Sequence, residues 1–229
     1  MFKPKPVILT ALVAAIAACG QANESNDTES TPPSNATASS VSDPFAEPEK
    51  TMSQAMMAAA GVDAGDTWVR MMIAHHQGAI DMSRAALQQD VSAGAAKMAQ
   101  DAIDKQTKEV ADLRKLIRSG TPEPKTIDVY HPAMKQMEDA MQRAKGADVS
   151  ETFMRKMLAH HKGGVALADV ALKNGVTGDL RAQVQKTREG QQKDADMTES
   201  MLGGQSPEKR MGNSAEATDE HEAHDMNAM

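Results

Sequence analysis

The apolar positions of this chain recur at alternating spacings of three and four residues, the period of a helix with one buried face. The clearest case is a stripe predicted to face inward, made of Ala99, Ile103, Gln106, Val110, Leu113 and Ile117. No segment alternates between apolar and polar residues with a period of two, so no strand is expected. The pattern predicts an all-α protein.

A shift of 85 positions lays the first half of the helical region on the second half. Between residues 52 and 87 it gives 15 identities in 36 positions, and the longest gap-free match places 67–78 on 152–163. Each copy is therefore predicted to hold a short Met- and Ala-rich helix, a long helix and a second long helix. Two such hairpins, each with one apolar stripe, are predicted to pack as a four-helix bundle flanked by the short helices.

Breaks in the helical pattern set the predicted boundaries. Gly120-Thr-Pro-Glu-Pro124 separates the copies, and Asn174-Gly175 ends a helix. The folded domain is predicted to span 50–204, with repeat 1 at 50–120 and repeat 2 at 131–204. A linker at 20–49 and a His-, Met- and acid-containing tail at 205–229 are predicted to be disordered, because they hold too little apolar surface to offset chain entropy.

Residues 1–19 have the pattern of a lipoprotein signal peptide. Lys3 and Lys5 precede an apolar run that is too short to span a bilayer. The segment Ile16-Ala17-Ala18-Cys19 resembles a bacterial lipobox, in which the Cys is lipidated; a plain secretory signal is the alternative. We therefore expect an envelope protein anchored to a membrane through Cys19 and facing the periplasm or the cell exterior.

The amino-acid composition excludes several kinds of binding site. With 25 Lys and Arg against 32 Asp and Glu, a groove that tracks nucleic-acid phosphates is not expected. A single Cys rules out a disulfide framework, a Cys-based zinc site and an iron–sulfur cluster. The chain has 18 Met and seven His but only one Trp, one Tyr and three Phe, so a bound metal would be held by His, Met or carboxylate groups. No catalytic constellation is recognisable, and we predict that the protein is not an enzyme.

Two His pairs, each preceded by Met at helical spacing, are the candidate metal site. Met71 and Met72 lie three to five residues before His75 and His76. Met157 holds the place of Met72 before the second pair, His160 and His161. Di-iron bundles place Glu three residues before His; a thioether in that place favours a soft ion, and Cu(I) is the obvious candidate outside the cytoplasm.

Other interpretations of these residues remain open. A Met at helical spacing is more often flexible core filler than a ligand, although two repeated His pairs are harder to explain in that way. The chain could be a metal-free helical interaction module, or could bind haem through a His/Met axial pair, against which the scarcity of aromatic residues argues. The tail's two His and its Met residues suit either low-affinity metal capture or an acidic solubilising segment.

The stretch from Met72 to Met82, Met-Ile-Ala-His-His-Gln-Gly-Ala-Ile-Asp-Met, resembles the signature of the domain-of-unknown-function family numbered 305. The resemblance covers about residues 50–202, in two copies. It implies a ferritin-like helical bundle in a secreted or lipid-anchored bacterial protein. Some members, of the CopM type, are periplasmic copper-binding proteins linked to copper resistance that use His and Met ligands.

By this resemblance the candidate metal ligands are Met72, His75, His76 and Met82 in the first copy and Met157, His160 and His161 in the second. The second copy departs from the pattern, with Leu167 in the place of Met82 and Lys156 in the place of Met71. It is therefore expected to bind weakly or to serve mainly structure. The expected function is copper scavenging, resistance or chaperoning, with copper as Cu(I).

Overall fold

The computed structural model describes residues 43–203 of the chain. All regular structure in this range is helical, which confirms the predicted all-α fold. A 3-10 helix at Pro124–Tyr130, not anticipated from the sequence, leads into the second repeat. The six α-helices in this range are α1 Ala46–Met57, α2 Ala64–Leu87, α3 Ala93–Arg114, α4 His131–Arg143, α5 Val149–Lys173 and α6 Gly178–Leu202.

The two long His-bearing helices begin with the same capping contacts, which explains part of the sequence repeat. The Asp63 side chain caps α2 by accepting a hydrogen bond from the backbone N–H of Asp66 at 3.0 Å. The backbone N–H of Gly61 donates to the Thr67 hydroxyl at 2.8 Å. Both contacts recur at the start of α5, 85 positions later. The register of each His pair is thus set from the first turn of its helix.

Helices α2 and α5 pack against each other at the centre of the fold. Helix α3 packs along α2, α6 along α5, and the short helices α1 and α4 lie on α2 and α5 respectively. Gly78 and Gly163 permit these last contacts, because a Cβ atom at either glycine would overlap the side chain of Met52 or Met137. The four long helices form a bundle with the short helices on its flank.

Helical structure is already present before the expected domain start at residue 50. Helix α1 begins at Ala46, and the Phe45 side chain before it is fully buried. Its ring lies 5.8 Å from that of Phe153 in α5. The polar and acidic composition of this segment resembles a linker, but one aromatic side chain and two carboxylates tie it to the core.

Those two carboxylates pair with a buried ammonium group. Lys156 is only 2% exposed; its Nζ lies 2.5 Å from Glu49 Oε1 and 3.2 Å from Asp43 Oδ2. The Glu49 contact is an ion pair whose approach angle lies outside that of a hydrogen bond. The Lys156 ammonium also donates to the Met141 carbonyl at 3.3 Å. Burial raises the pKa of Glu49, although Lys156 opposes this shift.

The predicted stripe of α3 is confirmed in part. Its buried members are Ala99, Gln106, Val110 and Leu113. Ile103 is only half-buried, and Ile117 is 40% exposed because α3 ends at Arg114. In α6 most of the buried positions are polar, which is why its apolar periodicity is weak in the sequence.

None of the helices between residues 43 and 203 has both the length and the apolar composition needed to cross a membrane. The predicted signal peptide, the lipidation of Cys19, most of the linker and the tail at 205–229 lie outside the described residues. They stay predictions.

Candidate metal centre

The four histidines of the two repeats meet where α2 and α5 pack together. The rings of His75 and His160 stack with centroids 3.6 Å apart at an angle of 24°. His76 lies 5.8 Å from His75, and His161 lies 5.6 Å from His160. None of the four is more than 3% exposed. Whether the pairs converge was open from the sequence, and the structure brings them together.

Each stacked ring is hydrogen-bonded to the backbone of the opposite helix. His75 Nε2 lies 3.1 Å from the His160 carbonyl oxygen, and His160 Nε2 lies 3.0 Å from the His75 carbonyl oxygen. A carbonyl can only accept, so both Nε2 atoms carry the hydrogen and donate. In neutral imidazoles of this tautomer the Nδ1 atoms keep free lone pairs. A backbone carbonyl that holds one ring nitrogen is the usual support of a metal-binding His.

The outer two histidines face side chains of α3 and α6. His161 Nδ1 lies 3.0 Å from the amide oxygen of Gln191; with that oxygen as acceptor, Nδ1 donates and Nε2 is left unprotonated. His76 Nε2 lies 3.3 Å from Glu109 Oε2, but the contact lacks hydrogen-bond geometry. Burial raises the pKa of Glu109, although Lys105 opposes this shift.

Burial favours the neutral form of all four imidazoles. Desolvation, followed by the neighbouring His76, holds the pKa of His75 well below 6.5. Desolvation and then His75 do the same for His160. Burial lowers the pKa of His76 to about 3, and it lowers the pKa of His161 although Asp194 opposes the shift. Neutral imidazole is the form that binds a metal ion.

Six buried polar atoms around this cluster have no hydrogen-bond partner among residues 43–203. Buried polar atoms in native proteins are nearly always paired, so such a concentration at one level of a bundle points to a bound ion or ordered water. The six are Nδ1 of His75, Nδ1 and Nε2 of His76, Nδ1 of His160, Oε1 of Gln106 and Oε2 of Glu109.

The candidate thioether ligands lie in the same core. Met71, Met72, Met82 and Met157 are each fully buried. Met71 and Met82 are four and seven residues from His75, which puts them on its face of α2. Met82 is the more distant of the two, about 10 Å along the helix axis at 1.5 Å per residue.

The second repeat differs at one of these places. Lys156 stands where the first repeat has Met71, and its ammonium is held by carboxylates of α1 and the preceding turn. A protonated amine cannot bind a metal ion. In the second repeat, Lys156 at this position therefore forms a structural ion pair and is not a metal ligand.

Three polar residues beside the histidines were not singled out from the sequence. Glu109, Gln191 and Asp194 have the appearance of solvated positions on polar helices. The sequence feature that could have identified them is the 85-residue shift, which aligns Gln106 with Gln191 and Glu109 with Asp194. Both outer helices thus contribute an amide and a carboxylate beside the His pairs, which continues the duplication past residue 87.

Within residues 43–203 no three His, Cys, Asp or Glu side chains are grouped so that they could hold a metal ion by themselves. The other side chains in this core that can bind a metal are the methionine thioethers, whose sulfur suits a soft ion and is a poor match for Zn²⁺ or for hard ions.

The comparisons with known proteins identify a family but no characterised relative. The family model described as "Domain of unknown function (DUF305)" matches residues 11–117, 119–202 and 148–229. The searches of curated proteins and of solved structures give no match.

Proposed function

Since the chain belongs to the family of domain of unknown function 305, whose description names no activity, we propose from the site itself that this protein binds copper as Cu(I). The ligands are the clustered imidazoles together with the buried thioethers within about one helical turn of them, Met71, Met72 and Met157. The protein acts as a lipid-anchored envelope scavenger or chaperone of copper, as the resemblance to CopM-type proteins implies.

One observation carries this proposal. The Nδ1 atoms of His75 and His160 are unprotonated and buried, and they have no partner in the part of the chain that the structure describes. Each ring is held through its other nitrogen by the opposite helix. A core that only needed filling would pair these atoms or replace them with apolar groups, because an unsatisfied buried polar group costs about 1–3 kcal/mol. Methionines at helical spacing supply the soft donors that select Cu(I).

A Cu(I) titration of the full chain against a chromophoric chelator, in anaerobic buffer, tests the proposal. The variant carrying both His75→Ala and His76→Ala is expected to lose binding. The variant His131→Ala changes an exposed His outside the cluster and is expected to bind as the wild type does. Unchanged binding in the double variant would remove the site assignment.

Thermal stability provides a second readout. A ligand that binds only the native state must raise the melting temperature. At a free concentration of 100 times its Kd, it adds about 2.7 kcal/mol to the free energy of unfolding. A melting temperature that does not respond to Cu(I) would favour the alternative, a metal-free helical interaction module of the envelope.

A further inference from the structure

A small cavity joins the histidine cluster to the surface between α3 and α6. It measures about 60 Å³, room for an ion with one or two waters. His161 and Gln106 of the cluster line it, together with Met98 from α3 and Met197 from α6. The two larger grooves beside α4 are lined by none of the four clustered histidines.

The soft donors of this cavity are graded in exposure. Met197 is 37% exposed, Met98 is 6% exposed and His161 is 3% exposed. Because His161 donates through Nδ1 to Gln191, its unprotonated nitrogen is Nε2. The donors therefore run from a solvent-accessible thioether through a nearly buried one to an imidazole of the cluster.

Comparison with the other repeat argues against core filling as the reason for these methionines. Under the 85-residue shift Met98 corresponds to Gln183 and Met197 to Asp112. Asp112 is exposed and bonds to Lys115 at 2.7 Å. The fold thus accepts polar residues at both corresponding positions.

An ion pair beside the cavity shapes its selectivity. Lys105 Nζ lies 2.5 Å from Asp194 Oδ2, and both residues line the cavity. The ammonium neutralises the carboxylate that would otherwise attract hard divalent cations. The other carboxylate of the lining, Asp101, is paired with Lys97 at 2.6 Å. With both carboxylates paired, the thioether and imidazole donors favour a soft monovalent ion.

We propose that Met98, Met197 and His161 form an entry site that captures a soft monovalent cation at the surface and passes it to the buried histidine cluster. This inference rests on the proposed function, since the cluster is the destination. It adds two ligands, Met98 and Met197, and a route.

The test measures how fast Cu(I) moves from a chromophoric chelator to the full chain in an anaerobic stopped-flow experiment. The variant carrying Met98→Leu and Met197→Leu keeps side-chain volume, so it is expected to fold, which its melting curve checks. Its loading rate is expected to fall about tenfold, equivalent to roughly 1.4 kcal/mol of barrier, with equilibrium affinity and stoichiometry unchanged. Met57→Leu, at a 60% exposed Met of α1, is the matched control and is expected to load normally.

A second variant acts in the opposite direction. Lys105→Gln removes a positive charge from the cavity wall and is expected to load faster, because repulsion of the incoming cation is relieved. It is also expected to let Zn²⁺ compete with Cu(I) for entry, since the carboxylate of Asp194 is no longer neutralised.

The outcomes separate this inference from the proposed function. Failure of the wild-type chain to bind Cu(I) overturns both. Normal wild-type binding with an unchanged loading rate in the double Met variant overturns the entry site alone. A parallel loss of equilibrium affinity also overturns it, because Met98 and Met197 would then be ligands of the final site.

Discussion

Mild acid should destabilise this bundle steeply, because four imidazoles are buried in their neutral form. The pKa values of these histidines are lower in the folded state than the value of 6.5 in the unfolded chain. Their contribution to the free energy of unfolding is therefore fully present above pH 6.5. It is lost as the pH falls below 6.5, since only the unfolded chain then takes up the protons. The folded bundle must open before the cluster is protonated.

The size of the effect follows from the number of groups. For each histidine that stays neutral in the native state, the free energy of unfolding falls by up to about 1.4 kcal/mol for every pH unit below 6.5. At pH 5 the four together remove up to roughly 8 kcal/mol. A typical domain is stable by only about 5–15 kcal/mol, so a loss of this size would remove about half of the stability or more.

Urea unfolding followed by fluorescence between pH 7.5 and 5 measures this slope, and the chain's single Trp, the fully buried Trp68, is the probe. The variant carrying His75→Gln and His160→Gln is expected to halve the slope. His131→Gln, at an exposed His, is expected to leave it unchanged. A wild-type uptake of no more than one proton on unfolding would contradict the burial of four neutral histidines.

The carboxylates affect the free energy of unfolding in a different pH range from the histidines. Asp63 and Asp66 have pKa values lowered from 3.8, so their contribution is present above that value and is lost only in stronger acid. Burial raises the pKa of Glu109 from 4.5, which gives the opposite sign, because the native state binds that proton first. The histidine slope is therefore measured best between pH 6.5 and 5.

Two further stability predictions come from packing. Lys156→Met alone should cost about 3 kcal/mol by stranding a mostly buried Glu49, and adding Glu49→Met should recover most of this loss, because Met occupies both corresponding positions of the other repeat. Urea unfolding compares the two, and a double variant as unstable as the single one contradicts the idea. Gly163→Ala should destabilise by about 1–3 kcal/mol through overlap with Met137. Gly190→Ala, where the nearest neighbour of a Cβ would be Lys105 Nζ at 3.8 Å, should stabilise α6 by about 1 kcal/mol. Thermal melts that rank the two glycine variants in the reverse order would count against this packing.

The helices were predictable from the sequence because their causes are local. The period of apolar residues, the Gly and Pro breaks and the duplication all act within one hairpin. The 3-10 helix and the early start at Ala46 were not predictable in this way. The burial of Phe45 depends on Phe153, more than a hundred residues away along the chain.

The candidate site was predictable in its residue types but only partly in its geometry. Repetition marked the His pairs and the Met before each pair, while the stacking of His75 on His160 depends on how α2 packs against α5. Glu109 and Gln191 were not identifiable in this way, because a polar residue on a polar helix does not show which face of the helix is buried. Their symmetry under the repeat was the only sequence signal available.

The buried ammonium of Lys156 has a practical consequence for anyone who trims this protein for expression. A recombinant fragment cut at residue 50, where the linker composition ends, would lack Phe45 and both carboxylates that neutralise Lys156. Such a fragment would keep every histidine of the cluster and still be expected to fold poorly. A soluble fragment should start at or before Asp43.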